Sequence, residues 1–294
     1  MRFIGQPFTF GFQQVGTNCG LIGQNAALEV DGAAYWLSEN GFFRYSGSLE
    51  TMTCLVEDFV YNDLNTTANQ LINVGLNNLF GEITWFYCTE SSTVVNRCVT
   101  YNYMDSSPQR PVWTTGTLAR GTWQDSSVFG LPHATEYNAS VDSSFDVVGN
   151  TEGSTIYFEH EKGTDQVVGG VTTAIASSIE SGDFDITQAR SSTGQKTGVS
   201  TFKGDGEYLM KIRRFIPDFL SQTGNTQVTL QLRNYPNSSQ ASSPLGPFTI
   251  TSSTDKIDTR ARARAISLKV ANTGASQSWK LGTFRLDTQP DGRR

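Results

Sequence analysis

The 294-residue chain has little charge, almost no histidine and few cysteines: 17% of it is charged, with His133 and His160 as its two histidines and Cys19, Cys54, Cys88 and Cys98 as its four cysteines. There is no CxxC pair, and the histidines complete no zinc spacing, which excludes a zinc centre of thiolates and imidazoles. Cys88 and Cys98 flank a hairpin-like segment and could face each other. With no export signal in view, free core thiols are expected instead. No run of 18 apolar residues occurs, so no membrane-spanning segment is expected. MRFIGQPFTFGF lacks the basic start and continuous apolar stretch of a secretory leader. A glycine-rich phosphate loop is missing, as is a basic patch interleaved with stacking aromatics, which leaves nucleotide binding and sequence-specific DNA reading without support.

Signals for catalysis are equally sparse. A Ser-His-Asp set would have to use His133 or His160, and neither lies in a nucleophile-elbow context. FEHEKGTD (158–165) gathers Glu159, Glu161 and Asp165 around His160, as a divalent cation would need, but strand-end acids of this kind are expected to be solvated. GDGEY (204–208) lacks the further ligand positions and closing glutamate of a calcium loop and reads as a turn into a strand. Asp58, Asp63, Glu82 and Asp125 are acids enough for a glycosidase pair, but nothing in the sequence makes any two of them meet. No catalytic residue, metal ligand or cofactor is therefore expected.

What is abundant is aromatic and polar-uncharged. Phe, Tyr and Trp number 33 and Gly 28, a mixture that fits an all-β chain rich in turns and does not fit a disordered one. In DGAAYWLSENGFFRYSG (31–47) an Asn40-Gly41 pair separates two alternating runs, the strongest short-range hairpin signal, so 33–38 and 42–46 are expected to pair. Alternation puts Tyr35 and Leu37 on one face and Trp36 on the other, and Phe42 and Phe43 again point opposite ways. A strand pair apolar on both faces must lie between two other layers.

Echoes of this hairpin follow. EITWFYC (82–88) leads through a turn at 89–93 to VVNRCVTYNYM (94–104), a loop with Pro108 and Pro111, and VWTTGTLA (112–119); LPHATEYNAS (131–140) with STIYFEHEKG (154–163) makes a fainter third copy. Units of about 40 to 50 residues built of short strands with a recurring Trp are the sequence pattern of propeller blades, which pack against neighbours on both faces. One helix is expected over LVEDFVYNDLN (55–65), with an apolar stripe of Leu55, Val56, Phe59, Val60 and Leu64.

Around residue 164 the pattern changes. Polar, turn-rich stretches (187–198, 234–247) alternate with short period-two runs at 171–179, 207–219, 226–235, 247–254, 263–272 and 278–289. TQVTLQL is the clearest, with Val228, Leu230 and Leu232 on one face, the alternation of an antiparallel sandwich. The expected fold is therefore all-β, with a partial or small β-propeller over 1–163 followed by an antiparallel β-sandwich over 164–294. In TRARARAISLKV an unbroken strand would put Arg260, Arg262 and Arg264 on the face of Ile266, Leu268 and Val270. Three arginines do not fit a core, so the strand must bulge or project beyond it. The arginines are then either a subunit contact or a strand end covered by water.

Charge divides along the same boundary. Residues 1–163 hold 6 basic and 17 acidic side chains, a net −11; residues 164–294 hold 16 and 11, a net +5; together these give the −6 of the whole chain. The acidic half repels nucleic acid that it does not grip, and the basic half suits an acidic neighbour; a solvated surface accounts for so mild an imbalance equally well.

NAALEVDGAAYWLSENGFFRYSG, VEDFVYNDLN, GEITWFYC, VTYNYM and PVWTTGTLAR together resemble the β-propeller part of the tail nozzle, or packaged-DNA stabilisation, proteins of tailed bacteriophages. GDGEYLMKIRRFIPDF, NYPNSSQASSPLGPFTIT, TRARARAISLKV and SWKLGTFRLDTQPDGRR are similar to the C-terminal end of the same family. The resemblance implies a structural virion protein of the phage tail, assembled in the host cytoplasm as a homo-oligomeric ring, expected to be a hexamer, below the portal and adaptor. Such a ring retains packaged DNA and forms the conduit for its ejection. The implied partners are the adaptor and portal, other tail proteins, the tail fibre, and double-stranded DNA passing without sequence preference. Family members are generally longer, and 163 residues suffice for about three to four blades, too few to close a typical propeller. The chain is then expected to be a shortened relative, or its sheets close against another subunit or protein, or the N-terminal blades belong to a separate polypeptide. The alternatives from other classes are a propeller-type glycan hydrolase or depolymerase, and a glycan-binding module presenting Trp113 or Trp123.

Overall fold

In the computed structural model, residues 2–125, 128, 130–138, 154–168, 170–190, 196–201, 208–235, 243–272 and 274–292 are described. Their contacts divide the chain into two units, Met1–Lys162 and Gly163–Arg294. The described residues form antiparallel sheets with two short helical segments, and no helix among them is long and apolar enough to cross a membrane.

Unit 1 opens on a small hairpin of β1 (Arg2–Phe3) and β2 (Phe10–Gly11). The first sheet follows as a four-stranded meander of β3 (Ala27–Val30), β4 (Ala33–Ser38), β5 (Gly41–Tyr45) and β6 (Leu49–Met52). The hairpin expected over 33–46 forms, but its Asn-Gly pair is not the pair at the centre of the turn. Register sets Ser38 opposite Gly41, leaving Glu39 and Asn40 at the tip. The two consecutive positive φ angles that a tight hairpin demands occur one turn earlier, at Asp31 (+51°) and Gly32 (+78°) between β3 and β4.

Both faces of β4 and β5 are covered, as their aromatics require. Leu37 and Phe42 are fully buried in the unit 1 core, while on the opposite face Trp36 stacks on Phe43 at 5.7 Å. The Trp36 indole donates to the carbonyl of Cys19, placing the segment before β3 against that face.

The connection to the second sheet holds α1 (Glu57–Asp63) and a 3₁₀ turn (Thr66–Leu71), the latter capped by Asn65, whose side chain accepts from the Thr67 amide. The helix is shorter than expected, and its stripe is only partly inward. Val60 and Leu64 are buried, Leu55 precedes the helix and is exposed, and Phe59 lies 5.5 Å from the Arg97 guanidinium.

The second sheet is again a meander: β7 (Asn73–Asn77), β8 (Glu82–Tyr87), β9 (Arg97–Ser107) and β10 (Arg110–Gly116). The expected loop with Pro108 and Pro111 is a tight turn, and Pro111 sits inside β10 where the register shifts between Arg110 and Val112. A bulge tolerates proline because it needs no ladder N–H there. Alternation sends Ile83, Trp85 and Tyr87 to the core shared with the first sheet, where Trp85 and Trp113 close on Phe42 at 5.1 and 4.7 Å. Burying each such ring is worth roughly 2–3 kcal/mol. On its other face, Phe86 stacks on Trp123 at 5.7 Å.

Trp123 belongs to the third sheet, β11 (Thr122–Gln124), β12 (His133–Asn138) and β13 (Ser154–Glu159), which has three strands among the described residues. The first strands of the three sheets, β3, β7 and β11, lie side by side, and the second sheet is covered by the other two. Indole hydrogen bonds tie the layers: Trp85 donates to Ala26 O, Trp113 to Thr53 O and Trp123 to Leu76 O.

Unit 2 begins with a hairpin of β14 (Asp165–Val168) and β15 (Val171–Ala174), then β16 (Ser177–Glu180) and a second hairpin of β17 (Ile186–Arg190) and β18 (Lys196–Thr201). Strands β17 and β18 occupy most of the stretch expected as a polar turn. Next come β19 (Met210–Ile216), β20 (Phe219–Thr223), β21 (Thr226–Arg233), β22 (Ser243–Ile250), β23 (Ile257–Ala263), β24 (Ala265–Asn272), β25 (Ser278–Leu281) and β26 (Arg285–Pro290). A four-stranded sheet, β16-β24-β21-β22, and a three-stranded one, β23-β19-β26, share one core of Met210, Ile212, Phe215, Val228, Leu230, Ala261, Ile266, Leu268 and Val270. The alternation of TQVTLQL is as expected, with Val228, Leu230 and Leu232 buried. Strand β22 starts earlier than the expected 247, because Ser243–Leu245 already pair with Leu230–Leu232. Trp279 donates its indole proton to Asn272 Oδ1. The loop 204–207, the closing Arg293 and Arg294, and much of 234–247 lie outside the described residues.

Candidate functional site

A polar cluster lies where the second and third sheets meet, and it starts from one residue. Arg120, just before β11, is 7% exposed. Its carbonyl accepts from the Asn73 amide at 2.9 Å, which fixes the approach to the third sheet. Its guanidinium donates from Nε to His160 Nε2 at 2.9 Å and from Nη1 to Glu136 Oε2 at 2.6 Å, and it lies 4.1 Å from the centre of the Phe158 ring. Burial pushes the Arg120 pKa down, against the opposing pull of Glu136. His160 accepts from a cation and packs on Trp123 at 4.7 Å. Burial first, then Arg120 and His133, hold its pKa down at about 4. The imidazole is therefore neutral at ordinary pH with Nε2 occupied, so it serves as an acceptor in the seam and is not poised as a base.

The carboxylates sit on different elements. Asp58 is exposed on α1, and Asp63 at the end of α1 pairs with Arg97 at 3.3 Å. Glu82 begins β8 and Asp125 follows β11. Glu82 has a second acid beside it: its pKa is raised by burial and then by Glu161. Glu161, at φ +59°, accepts from the Asn77 amide at 3.0 Å. Of the acids grouped with His160 in the sequence, Glu159 pairs with Lys162 at 2.6 Å, and Asp165 accepts from the Ser276 amide within unit 2. They do not converge, and among the described residues no group of three or more His, Cys, Asp or Glu side chains could hold a metal ion. The four cysteines are free thiols.

Trp113 and Trp123 are spent on packing and carbonyl hydrogen bonds, which removes them as stacking platforms for a sugar. Unit 2 carries a depression of about 180 Å³ lined by Asn225, Gln227, Thr249, Asn272, Gly274 and Gln277, none of them an acid or a base.

Arg260 and Arg262 alternate outward on β23, an edge strand, while Thr259, Ala261 and Ala263 face the core. Arg262 donates to Asp291 at 2.6 Å and stands opposite Lys211 in register. Arg214 reaches Asp258 at 3.0 Å, and the Asp258 pKa is lowered by Arg214 and then Lys256. The run does not continue to Arg264. The chain bends there, leaves the three-stranded sheet and enters the four-stranded one as β24, with the Arg264 amide bonded to Arg233 O. This corner is how three alternate arginines and three alternate aliphatics follow one another without sharing a face.

No family model matches the chain, and no curated protein matches it. The residues that sequence reasoning missed are Arg120, Glu136, Asn73 and Asn77. Arg120 and Glu136 lie 16 positions apart on different elements, a spacing that leaves no local signal.

Proposed function

We propose that the chain is a structural protein of a bacteriophage tail, a nozzle-like ring subunit that retains packaged DNA and passes it outward. The supporting observation is the serial stack in unit 1. Tandem antiparallel meanders with their first strands side by side are the arrangement of propeller blades, and three blades leave the array open. Tyr137 and Tyr157 on the third sheet are 49% and 63% exposed, in the position that a further layer covers on the other sheets. An open array of this kind requires neighbours.

The two sheets around the unit 2 core form a sandwich, and its outward Arg260 and Arg262 suit an acidic neighbouring subunit or tail protein. A conduit lined by the acidic unit repels phosphate, so the duplex slides without being gripped. The proposed neighbours are further copies in a hexameric ring, the portal and adaptor, and the tail fibre, all within the virion.

The mass of the native particle, measured by native mass spectrometry on protein co-expressed with tail partners, tests this reading. A closed ring is the expected result, and a monomer at every concentration would refute it. A glycan hydrolase is the second reading, favoured by the raised Glu82 carboxyl beside Glu161. It requires that Glu82→Gln abolish glycan cleavage in a protein that still folds.

A further inference from the structure

Residues 2–15 carry apolar surface that unit 1 leaves uncovered. Phe8, Phe10 and Phe12 recur at every second position, with Thr9 and Gly11 between them, the sequence pattern of a strand with one aromatic face; in the structure Phe10 and Gly11 are strand, paired through one edge with Phe3 and Arg2, and Thr9 lies at a bend. They are 71%, 47% and 82% exposed, and Phe3, which meets Phe10 edge-on at 6.1 Å, is 70% exposed. Clusters of exposed aromatics are a feature of contact surfaces.

Among the described residues the third sheet has no fourth strand. In the second sheet the fourth strand, β10, carries Trp113 across to the first sheet. Among the described residues the third sheet ends at β13, paired with β12 alone. Ile156 and Phe158 on β13 share a face with Trp123, toward the second sheet, and are half-buried. Val112 on β10 stands opposite Asn102, on the same side of the second sheet as Phe86, and is 38% exposed. By the strand order, a fourth strand beside β13 would lie over Val112 and continue the apolar row of Ile156 and Phe158.

The arm leads into the segment that covers the outer face of the first sheet, where Trp36 bonds to Cys19, while the open edge belongs to the third. A contact joining them between copies is head to tail, the kind that closes into a ring or runs on as a filament. We propose that Phe8–Phe12 of one copy adds to β13 of a second copy as its fourth strand, with the phenylalanines turned toward Val112, Ile156 and Phe158 of that copy. Main-chain hydrogen bonds would supply the pairing and the aromatic row its specificity. This inference rests on the ring reading above and identifies the surface that makes the ring.

The test places the photo-crosslinker benzoylphenylalanine at Phe10 in the full chain, mixes ¹⁴N- and ¹⁵N-labelled protein, irradiates, and maps the products by mass spectrometry. The expected product joins residue 10 of one isotope to residues 154–159 of the other. Products of a single isotope only, with no mixed pair, would mean that the arm folds onto its own β13, and an assembled particle with cross-links elsewhere would mean a different interface. Either result overturns the inference and leaves the ring standing, whereas a particle that is monomeric throughout removes the ring reading itself. As a second measurement, Phe8→Ser, Phe10→Ser and Phe12→Ser together are expected to abolish assembly while the melting temperature of unit 1 stays unchanged. Assembly equal to that of the parent chain would overturn the inference.

Discussion

Gly75 on β7 lies flat against the indole of Trp123: a Cβ on it would stand 2.4 Å from Trp123 Cγ and 2.9 Å from Trp123 Cβ. The second and third sheets meet at this point, with the ring packed over Gly75 and Phe86, which share a face of the second sheet, and its N–H on Leu76 O. Gly75→Ala would gain about 0.4–1 kcal/mol from a stiffer unfolded chain. It would lose more, about 1–3 kcal/mol, by forcing the indole out of its slot. A net loss of stability is expected, measured as a lower urea midpoint with an unchanged slope.

Removing the cation at the same seam has a larger effect. Arg120→Leu leaves Glu136 and His160 without their donor, at an expected cost of about 2–4 kcal/mol in denaturant unfolding. The double variant Arg120→Leu with Glu136→Leu is expected to cost less than the single one, because it strands no carboxylate. A double variant as unstable as the single would mean that packing on Phe158, and not the ion pair, carries Arg120.

Stability is expected to fall between about pH 6.5 and pH 4. In that window unfolded chains protonate His160 while the folded seam keeps it neutral, so the unfolded state holds more protons and stability rises with pH. A pKa held down near 4 corresponds to at most about 3 kcal/mol, and partial exposure reduces this to about 1–3 kcal/mol. Glu82 acts in the opposite sense. Its raised pKa makes the folded state hold the proton longer above about pH 4.5, so its contribution declines as pH rises. His160→Gln should flatten the acid limb of the stability curve and Glu82→Gln the shallower limb above it. An acid limb that survives His160→Gln would assign it to other groups.

Reversing charge on the outer edge of unit 2 is expected to act on association alone. Arg262 is half-exposed and its pair with Asp291 is a surface one, worth at most about 1 kcal/mol. Arg260→Glu with Arg262→Glu should therefore leave the melting temperature within a few degrees of the parent, slow assembly, and weaken its dependence on salt. Unchanged assembly kinetics would mark this face as solvated only.

The sequence showed those parts of the fold that short periods encode. The aromatic alternation of 33–46 and 82–104 and the TQVTLQL run placed their strands because each side chain's face follows from its neighbours two positions away. Strands β3, β7 and β11 were not legible, being four, five and three residues long and of mixed polarity. The choice between Asn40-Gly41 and Asp31-Gly32 as the tight turn depended on register, which the cross-strand pairing of Ser38 with Gly41 sets. The corner at Arg264 was legible as a necessity, since three arginines could not enter a core, but the switch between sheets that satisfies it was not. Arg120 was invisible because its environment is assembled from residues 40 positions later and 47 earlier.

The indole hydrogen bonds have a direction in time. Trp36, Trp85, Trp113, Trp123 and Trp279 each donate to an acceptor earlier in the chain, at Cys19, Ala26, Thr53, Leu76 and Asn272. On a ribosome every one of these rings emerges after the carbonyl or amide oxygen that receives it. Each new layer of unit 1 thus meets its anchoring point already made, and the stack can grow in the order of translation, with no tryptophan waiting for a partner still to be synthesised.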